Sequence, residues 1–313
     1  MTDHSDKSSN WERHTIEKLA TSALQEQRRA RLWGIFFKSL TFIYLFLILF
    51  LAAGWLGKGA KPTAEHTALI DIQGVIGGDS EVNADAVISS LKSAFENKRT
   101  KGVILRINSP GGSPVQSGLI NDEIKRLRQL HPNTPVYAVV EDICASGGYY
   151  IAVAADKIYV DKASIVGSIG VLMDGFGFTG TMEKLGVERR LMTAGENKVI
   201  LDPFSPPNPK HQEFAQSMLD EIHRQFIAVV REGRGERLKE TPETFSGLFW
   251  SGETSIRMGL ADELGSSDYV AREVIKQENI VDFTQREDFA ARFARRFGAT
   301  MANYISFGNF RLQ

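Results

Sequence analysis

The sequence predicts an α/β domain built on a largely parallel sheet and preceded by a single membrane-spanning helix. Two patterns predict the domain. From residue 68 onward, short runs rich in β-branched and apolar residues alternate with amphipathic stretches. Glycine-rich turns then stand where two of those runs give way to helices, at Pro110-Gly111-Gly112 and at Ser146-Gly147-Gly148. The third pattern predicts the membrane helix: residues 39–57 contain no charged side chain, and Leu40–Leu51 is almost wholly apolar.

The bulk numbers set limits. The 313 residues suffice for one large domain or two small ones. Hydrophobic residues make up 42% and charged residues 24%, the balance of an ordinary globular chain. A net charge of −1 argues against a nucleic-acid partner. Cys144 is the one cysteine, so neither an intrachain disulfide nor a cysteine metal cluster is possible. No cofactor or metal is expected.

Residues 1–38 read as a polar tail, helical through part of its length. Residues 39–57 follow as the transmembrane helix. At ~1.5 Å per residue the run spans roughly 28 Å, close to the ~30 Å apolar thickness of a bilayer. Trp33 and Trp55 stand near its ends as interfacial anchors do. Arg28, Arg29, Arg31 and Lys38 precede it, and only Lys58 and Lys61 lie at a similar distance after it. The positive-inside rule keeps the N-terminus in the cytoplasm and sends residues 58–313 across an inner or plasma membrane. A cleaved signal peptide is the alternative. The long region ahead of the apolar run and the length of the run itself speak against it.

Residues 58–67 form a linker, and residues 68–275 the folded domain. Ala68–Ile76 predicts a strand, Ala84–Asn97 an amphipathic helix and Gly102–Ile107 a strand. Gln116–Leu130 predicts a helix, Val136–Val140 a buried strand and Ser146–Ala155 a helix of small residues. Lys157–Val160 is a short strand and Ile165–Leu172 an extended segment. Such βαβα order implies parallel strands joined by right-handed crossovers. Asn208 then caps, and Pro209 opens, a long helix with Phe214, Met218, Ile222, Phe226 and Val229 on one face up to Gly233. Phe249–Gly265 reads as a turn, a short helix and a glycine stop with a structural role. Residues 276–313 form a C-terminal helical segment. Its stripe of Phe289, Phe293 and Phe297 suits packing against a domain or subunit, or a membrane surface.

Four features could carry chemistry. After the strand GVILRI, Asn108-Ser109-Pro110-Gly111-Gly112-Ser113 places glycines at a strand-to-helix turn. Backbone N–H groups can converge there on an anion, as an oxyanion hole requires; a plain turn is the bland reading. After the strand VYAVV, Ser146 stands before Gly147-Gly148, at the sheet end where α/β folds bind ligands. Ser146 reads either as a nucleophile or as an N-cap. A serine nucleophile needs a base. His4 and His14 lie in the tail, His66 in the linker and His131 in a loop, while His211 and His223 fall along the long helix. A triad through one of the last two stays open. So does a lysine, which is protonated at its ordinary pKa of ~10.4 and becomes a base when withdrawal from water brings it toward ~7. Lys198, followed by Val199, Ile200 and Leu201, is the candidate, although a lone loop lysine is usually a solvated surface charge and periodicity alone does not raise it above others such as Lys184. Cys144 is a further possible nucleophile, but no histidine is near it in sequence to make a thiolate.

Taken in order, four motifs resemble the signal peptide peptidase A (SppA) family of serine–lysine peptidases over residues 65–275. They are Asn108-Ser109-Pro110-Gly111-Gly112, Ala145–Ala152, Gly167-Ser168-Ile169-Gly170-Val171, and Gly252 running to Gly259-Leu260-Ala261-Asp262. The resemblance implies a crotonase- or ClpP-like fold, the short single-copy form, with Ser146 as nucleophile. It also implies Lys198 as general base, 52 residues later and just before Pro203-Phe204. Gly111 and Gly112, with Gly147 beside the nucleophile, map to oxyanion and substrate-binding positions, and Ser168 maps to a serine that orients the lysine. The family often has Tyr before the lysine and small residues after it; here Asn197, Val199 and Ile200 take those places. The expected partners are peptides, such as signal-peptide remnants, the membrane, and copies of the same chain in a ring whose active sites are shared between protomers. Two other readings are a non-catalytic binding or assembly protein on a peptidase fold and a crotonase-type acyl-CoA enzyme. An extracytoplasmic domain disfavours the latter, because acyl-CoA is cytosolic.

Overall fold

The structure is a computed structural model that describes residues 5–52 and 64–285. Two units are separated by chain contacts, residues 1–60 with 288–313 and residues 61–287. The described part of the first is one helix, α1 (Ser5–Ala52), so the expected tail and apolar segment run as one unbroken helix as far as Ala52. Its stretch Gln25–Phe50 is long and apolar enough to cross a membrane. The rings of Trp33, Phe36 and Phe37 pack together on it, centroids 5.7–5.8 Å apart. Trp55, Lys58, Lys61 and the phenylalanine stripe of 289–297 lie outside the described residues.

The second unit alternates as its sequence pattern requires. In chain order come β1 (His66–Gln73), α2 (Ala84–Glu96), β2 (Thr100–Ser109), α3 (Pro114–Leu130), β3 (Val136–Ala145) and α4 (Gly147–Ala152). Then follow β4 (Lys157–Val160), β5 (Ile165–Gly167), α5 (Thr179–Leu185), α6 (Pro209–Arg234), β6 (Phe249–Ser251), α7 (Gly252–Arg257) and β7 (Glu263–Leu264). A short helical turn, α8 (Ser267–Tyr269), continues as a wider coil through Ile275 and leads to β8 (Ile280–Asp282). One sheet runs β6-β5-β3-β2-β1-β8, with β4 and β7 paired beside β3. Every pairing is parallel except β5 with β6. The expected α/β fold with a largely parallel sheet is therefore present.

Side chains alternate faces along each strand. Ala68, Ile70 and Ile72, Val103, Leu105 and Ile107, and Val136, Ala138 and Val140 enter the main core with Val87, Leu91, Ile120, Ile124 and Ile151 from the helices. Leu69, Ile104 and Val139 point the other way and lie under Val270 and Ala271. Toward the carboxyl ends of the strands that second face turns polar: Arg106 holds Asp71 through two hydrogen bonds of 2.5 and 2.7 Å and lies 3.6 Å from Glu141.

Two elements depart from expectation. β3 continues five residues beyond Val140, to Ala145, because Ile143, Cys144 and Ala145 pair with β5. The polar Glu141 and Asp142 hide this extension in the sequence. α6 is capped by Asn208 as expected, its Oδ1 accepting from the Lys210 N–H at 3.0 Å. Only the second half of its apolar stripe is buried, at Phe226 and Val230, while Phe214 is 63% exposed.

Candidate active site

β2 and β3 end side by side, and their outgoing loops build the site. Ser146 follows the last residue of β3 with φ 50° and ψ −120°, a left-handed conformation that a residue with a side chain adopts only under constraint. The constraint is visible. The Ser146 N–H donates to the Gly167 carbonyl at 2.9 Å, and its carbonyl accepts from the Tyr150 N–H at 2.9 Å. The half-buried side chain makes no capping bond to α4, which removes the N-cap reading.

Beside it stands the turn after β2. Gly111 has φ 103°, and a Cβ there would lie 2.7 Å from both Ser146 Cβ and the Gly147 nitrogen. A Cβ on Gly147 would lie 2.5 Å from Ser117 Oγ and 3.2 Å from the Gly112 nitrogen. The two glycine turns are thus in van der Waals contact, and only residues without side chains allow it. Neither the Gly112 nor the Gly147 N–H donates to any described residue. Unspent backbone donors beside a serine are what a developing oxyanion would need. The sequence did not single out what pins this turn. Ser109 Oγ donates to the Gly74 carbonyl at 2.6 Å and accepts from the Gly111 N–H at 3.1 Å, and the Ile76 N–H and carbonyl bond Gly111 and Ser113 at 2.8 Å each. Ser109 and Ser117 are fully buried small polar residues beside glycines, the one sequence signal that could have drawn attention to them.

Ser168 follows Gly167, the residue that pairs with Ala145, so it stands directly after β5, the strand beside the one that leads into Ser146. It too has positive φ, 52°, and its N–H donates to the Leu248 carbonyl at 2.7 Å. Lys198 stands apart. It is exposed on a turn between Gly195 and Leu201, and no described hydrogen bond or ion pair links it to Ser146 or Ser168. Within one chain the expected pocket withdrawn from water around this lysine is therefore not formed. His211 Nε2 lies 3.2 Å from Asn197 Oδ1, and His223 Nε2 lies 3.1 Å from the Ile169 carbonyl, so neither is bonded to Ser146. Cys144 is fully buried and its thiol is pushed well above its usual range by that burial, which disqualifies it as a thiolate nucleophile.

The profile of peptidase family S49 matches residues 128–281. A Synechocystis sp. relative named as a protease is 32% identical over 206 residues, 66% of this chain and 72% of its own length. The chain belongs to peptidase family S49. An Enterococcus faecium relative in this family, named as signal peptide peptidase SppA, is 31% identical over 204 residues, 65% of this chain and 59% of that protein. A Brucella melitensis protein named Na(+)/H(+) antiporter NhaA shares 50% identity over 175 residues, which is 56% of this chain but 24% of that protein. The chain thus spans a quarter to three-fifths of the length of these last two proteins. Antiport is said of the Brucella protein alone. For the S49 chain in hand, the parallel sheet, the constrained serine and the paired glycine turns lie within or beside the matched residues.

Proposed function

We propose that this S49 chain is a membrane-anchored serine endopeptidase in which Ser146 is the nucleophile and Lys198 the base. The observation that carries the proposal is Ser146, at positive φ with no capping bond, next to the packed glycine turns whose Gly112 and Gly147 N–H groups are unspent. Neutral Lys198 takes the hydroxyl proton as Ser146 Oγ bonds to the scissile carbonyl carbon, and the carbonyl oxygen gains the negative charge. The Gly112 and Gly147 amides stabilise that charge, and the lysine proton leaves with the departing amine. Lys198, neutral again, then takes a proton from water as the water oxygen bonds to the acyl carbon, and returns that proton to Ser146 Oγ as the ester bond breaks and the acid leaves.

The same reading has Lys198 reach Ser146 from an adjacent copy in a ring. In its support, Lys198 is exposed and unlinked in its own chain, and Leu172, Phe176, Met192 and Phe214 leave large apolar side chains in water. The substrates are the signal peptides left in a membrane after preprotein cleavage and other apolar peptides. Supporting this are the apolar α1 and the basic Arg28, Arg29, Arg31 and Lys38 ahead of it, a charge pattern that favours a cytoplasmic N-terminus with the sheet domain on the other side.

The direct test is hydrolysis of an internally quenched apolar peptide by Ser146→Ala and Lys198→Met. Each is expected to lose at least about a thousandfold in kcat, the scale of losing a nucleophile or its base. Wild-type turnover in either variant would remove that residue from the mechanism.

A further inference from the structure

The segment 190–201 that presents Lys198 is closed at its neck by a cluster the mechanism above does not use. Arg189 and Asp202, one residue outside either end, form an ion pair in which an Arg189 Nη donates to Asp202 Oδ2. Ser205 Oγ donates to the same oxygen at 2.6 Å. The Arg189 guanidinium lies over the Phe204 ring, 5.4 Å from its centroid, and Phe204 stacks on Phe178 at 5.5 Å. The Phe178 N–H closes the base of the cluster with a 2.7 Å bond to the Pro203 carbonyl.

Above this neck the chain is wound tightly. Lys198 N–H donates to Gly195, Ile200 N–H to Asn197 and Asp202 N–H to Val199, each at 3.2 Å. Gly195 takes φ 102° and Leu201 takes φ 56°. A leucine in the left-handed region is costly and persists only where its surroundings hold it; Asp202 is the next residue. An ion pair this near the surface adds little to global stability, so its consequence is local. Asp202 is nonetheless well covered, its side chain 8% exposed against 32% for Arg189.

We propose that Arg189, Asp202 and Ser205 form a clasp that fixes the Lys198 turn in the conformation needed to deliver its amine, which makes Arg189 and Asp202 positioning residues. This rests on the Ser146–Lys198 reading. A base displaced by about 1 Å costs roughly a hundredfold in rate, while the substrate still binds to the elements around Ser146. The clasp therefore acts on kcat and leaves KM nearly unchanged. A purely structural pair would not split kcat from KM in this way.

The experiment compares full-length wild type, Arg189→Gln, Asp202→Asn, Arg189→Lys and Lys198→Met on the quenched apolar peptide, with melting temperature and particle size recorded for each. The two neutral variants are expected to lose about ten- to a hundredfold in kcat and to keep KM and particle size. Arg189→Lys, which keeps the charge without the planar fork, is expected to fall in between. Wild-type kcat in both neutral variants, or a KM that rises in step with the loss, would overturn the clasp. Should they fail to fold, Arg189→Lys decides, and its full activity overturns the clasp equally. Full activity in Lys198→Met would instead sink the lysine assignment itself, a separate outcome.

Discussion

Ser146, Gly111 and Gly147 show what one residue's backbone can decide. Gly111 carries φ 103° in a buried position and touches Ser146 Cβ, so an added methyl group meets two strictly placed atoms at 2.7 Å. Gly111→Ala is expected to leave the sheet folded, with a native circular dichroism spectrum, and to lower kcat by about a hundred- to a thousandfold, because the methyl group displaces Ser146 and the Gly147 amide proposed as an oxyanion donor. Gly118→Ala is the matched control. Gly118 lies in α3 with nothing within 4 Å of an added Cβ, and the change is expected to keep activity and to add about 0.5–1 kcal/mol of stability. The glycine pair and the serine were legible in the sequence as turn chemistry after two apolar strands. The choice between nucleophile and cap for Ser146 was not, because both place serine before a helix. The missing capping bond takes away the side-chain cap, and the nucleophile stands as the proposal.

Among the elements, the closing segment after α7 has a role that its motif did not reveal. Arg234 of α6 is 1% exposed; it donates to both Asp262 oxygens at 2.8 and 2.9 Å and to the Gly259 carbonyl at 2.8 Å. Asp262 also accepts from the Ile158 N–H of β4 at 2.7 Å, and buried Tyr149 of α4 donates to the Leu260 carbonyl at 2.8 Å. The segment thus ties together α6, β4 and the helix that follows Ser146. Burial alone would raise the Asp262 carboxyl, but the Arg234 hydrogen bonds and charge, the Ile158 N–H and Arg237 outweigh it and hold it below the usual carboxylate range. A carboxyl with a depressed folded pKa stabilises fully above its unfolded value of ~3.9, and that stabilisation is lost as pH falls further. Thermal melts should therefore show a wild-type decline below about pH 4 that is weaker in Asp262→Asn. At neutral pH Asp262→Ala, which leaves Arg234 buried and unpaired, is expected to cost about 3–5 kcal/mol. An unchanged melting temperature would show that the pair holds nothing. The turn and helix stop were readable from Gly259, whose φ of 74° only glycine bears easily. The ion pair was not, since Arg234 looks like any charge at a helix end. α5 also escaped the sequence reading, because none of its residues is buried and no apolar period marks it.

At the scale of the whole molecule, the distribution of site residues between chains becomes testable. Ser146 and the unspent amides form one half-site on the sheet, and Lys198 on its clasped turn forms another, with no described bond between them. A sequence lists both halves on one chain and cannot say that they meet across two; a lysine beside apolar residues looks the same in either arrangement. If each site draws Ser146 from one copy and Lys198 from the next, Ser146→Ala and Lys198→Met chains are separately inactive but complementary. Random co-assembly of equal amounts gives a site with both intact residues wherever a Lys198→Met copy supplies the serine and a Ser146→Ala copy the lysine, which is roughly a quarter of sites in a closed ring. Co-expressed, differently tagged chains purified through both tags are expected to recover about that fraction of wild-type kcat. The KM of these sites is expected to match wild type, because every productive site is chemically complete. Mixing the two variants after separate purification, under conditions where subunits do not exchange, should recover nothing. Co-assembled particles that carry both tags and remain inactive would mean that serine and lysine belong to one chain, and that the Lys198 turn must swing toward its own Ser146 before any bond is cut.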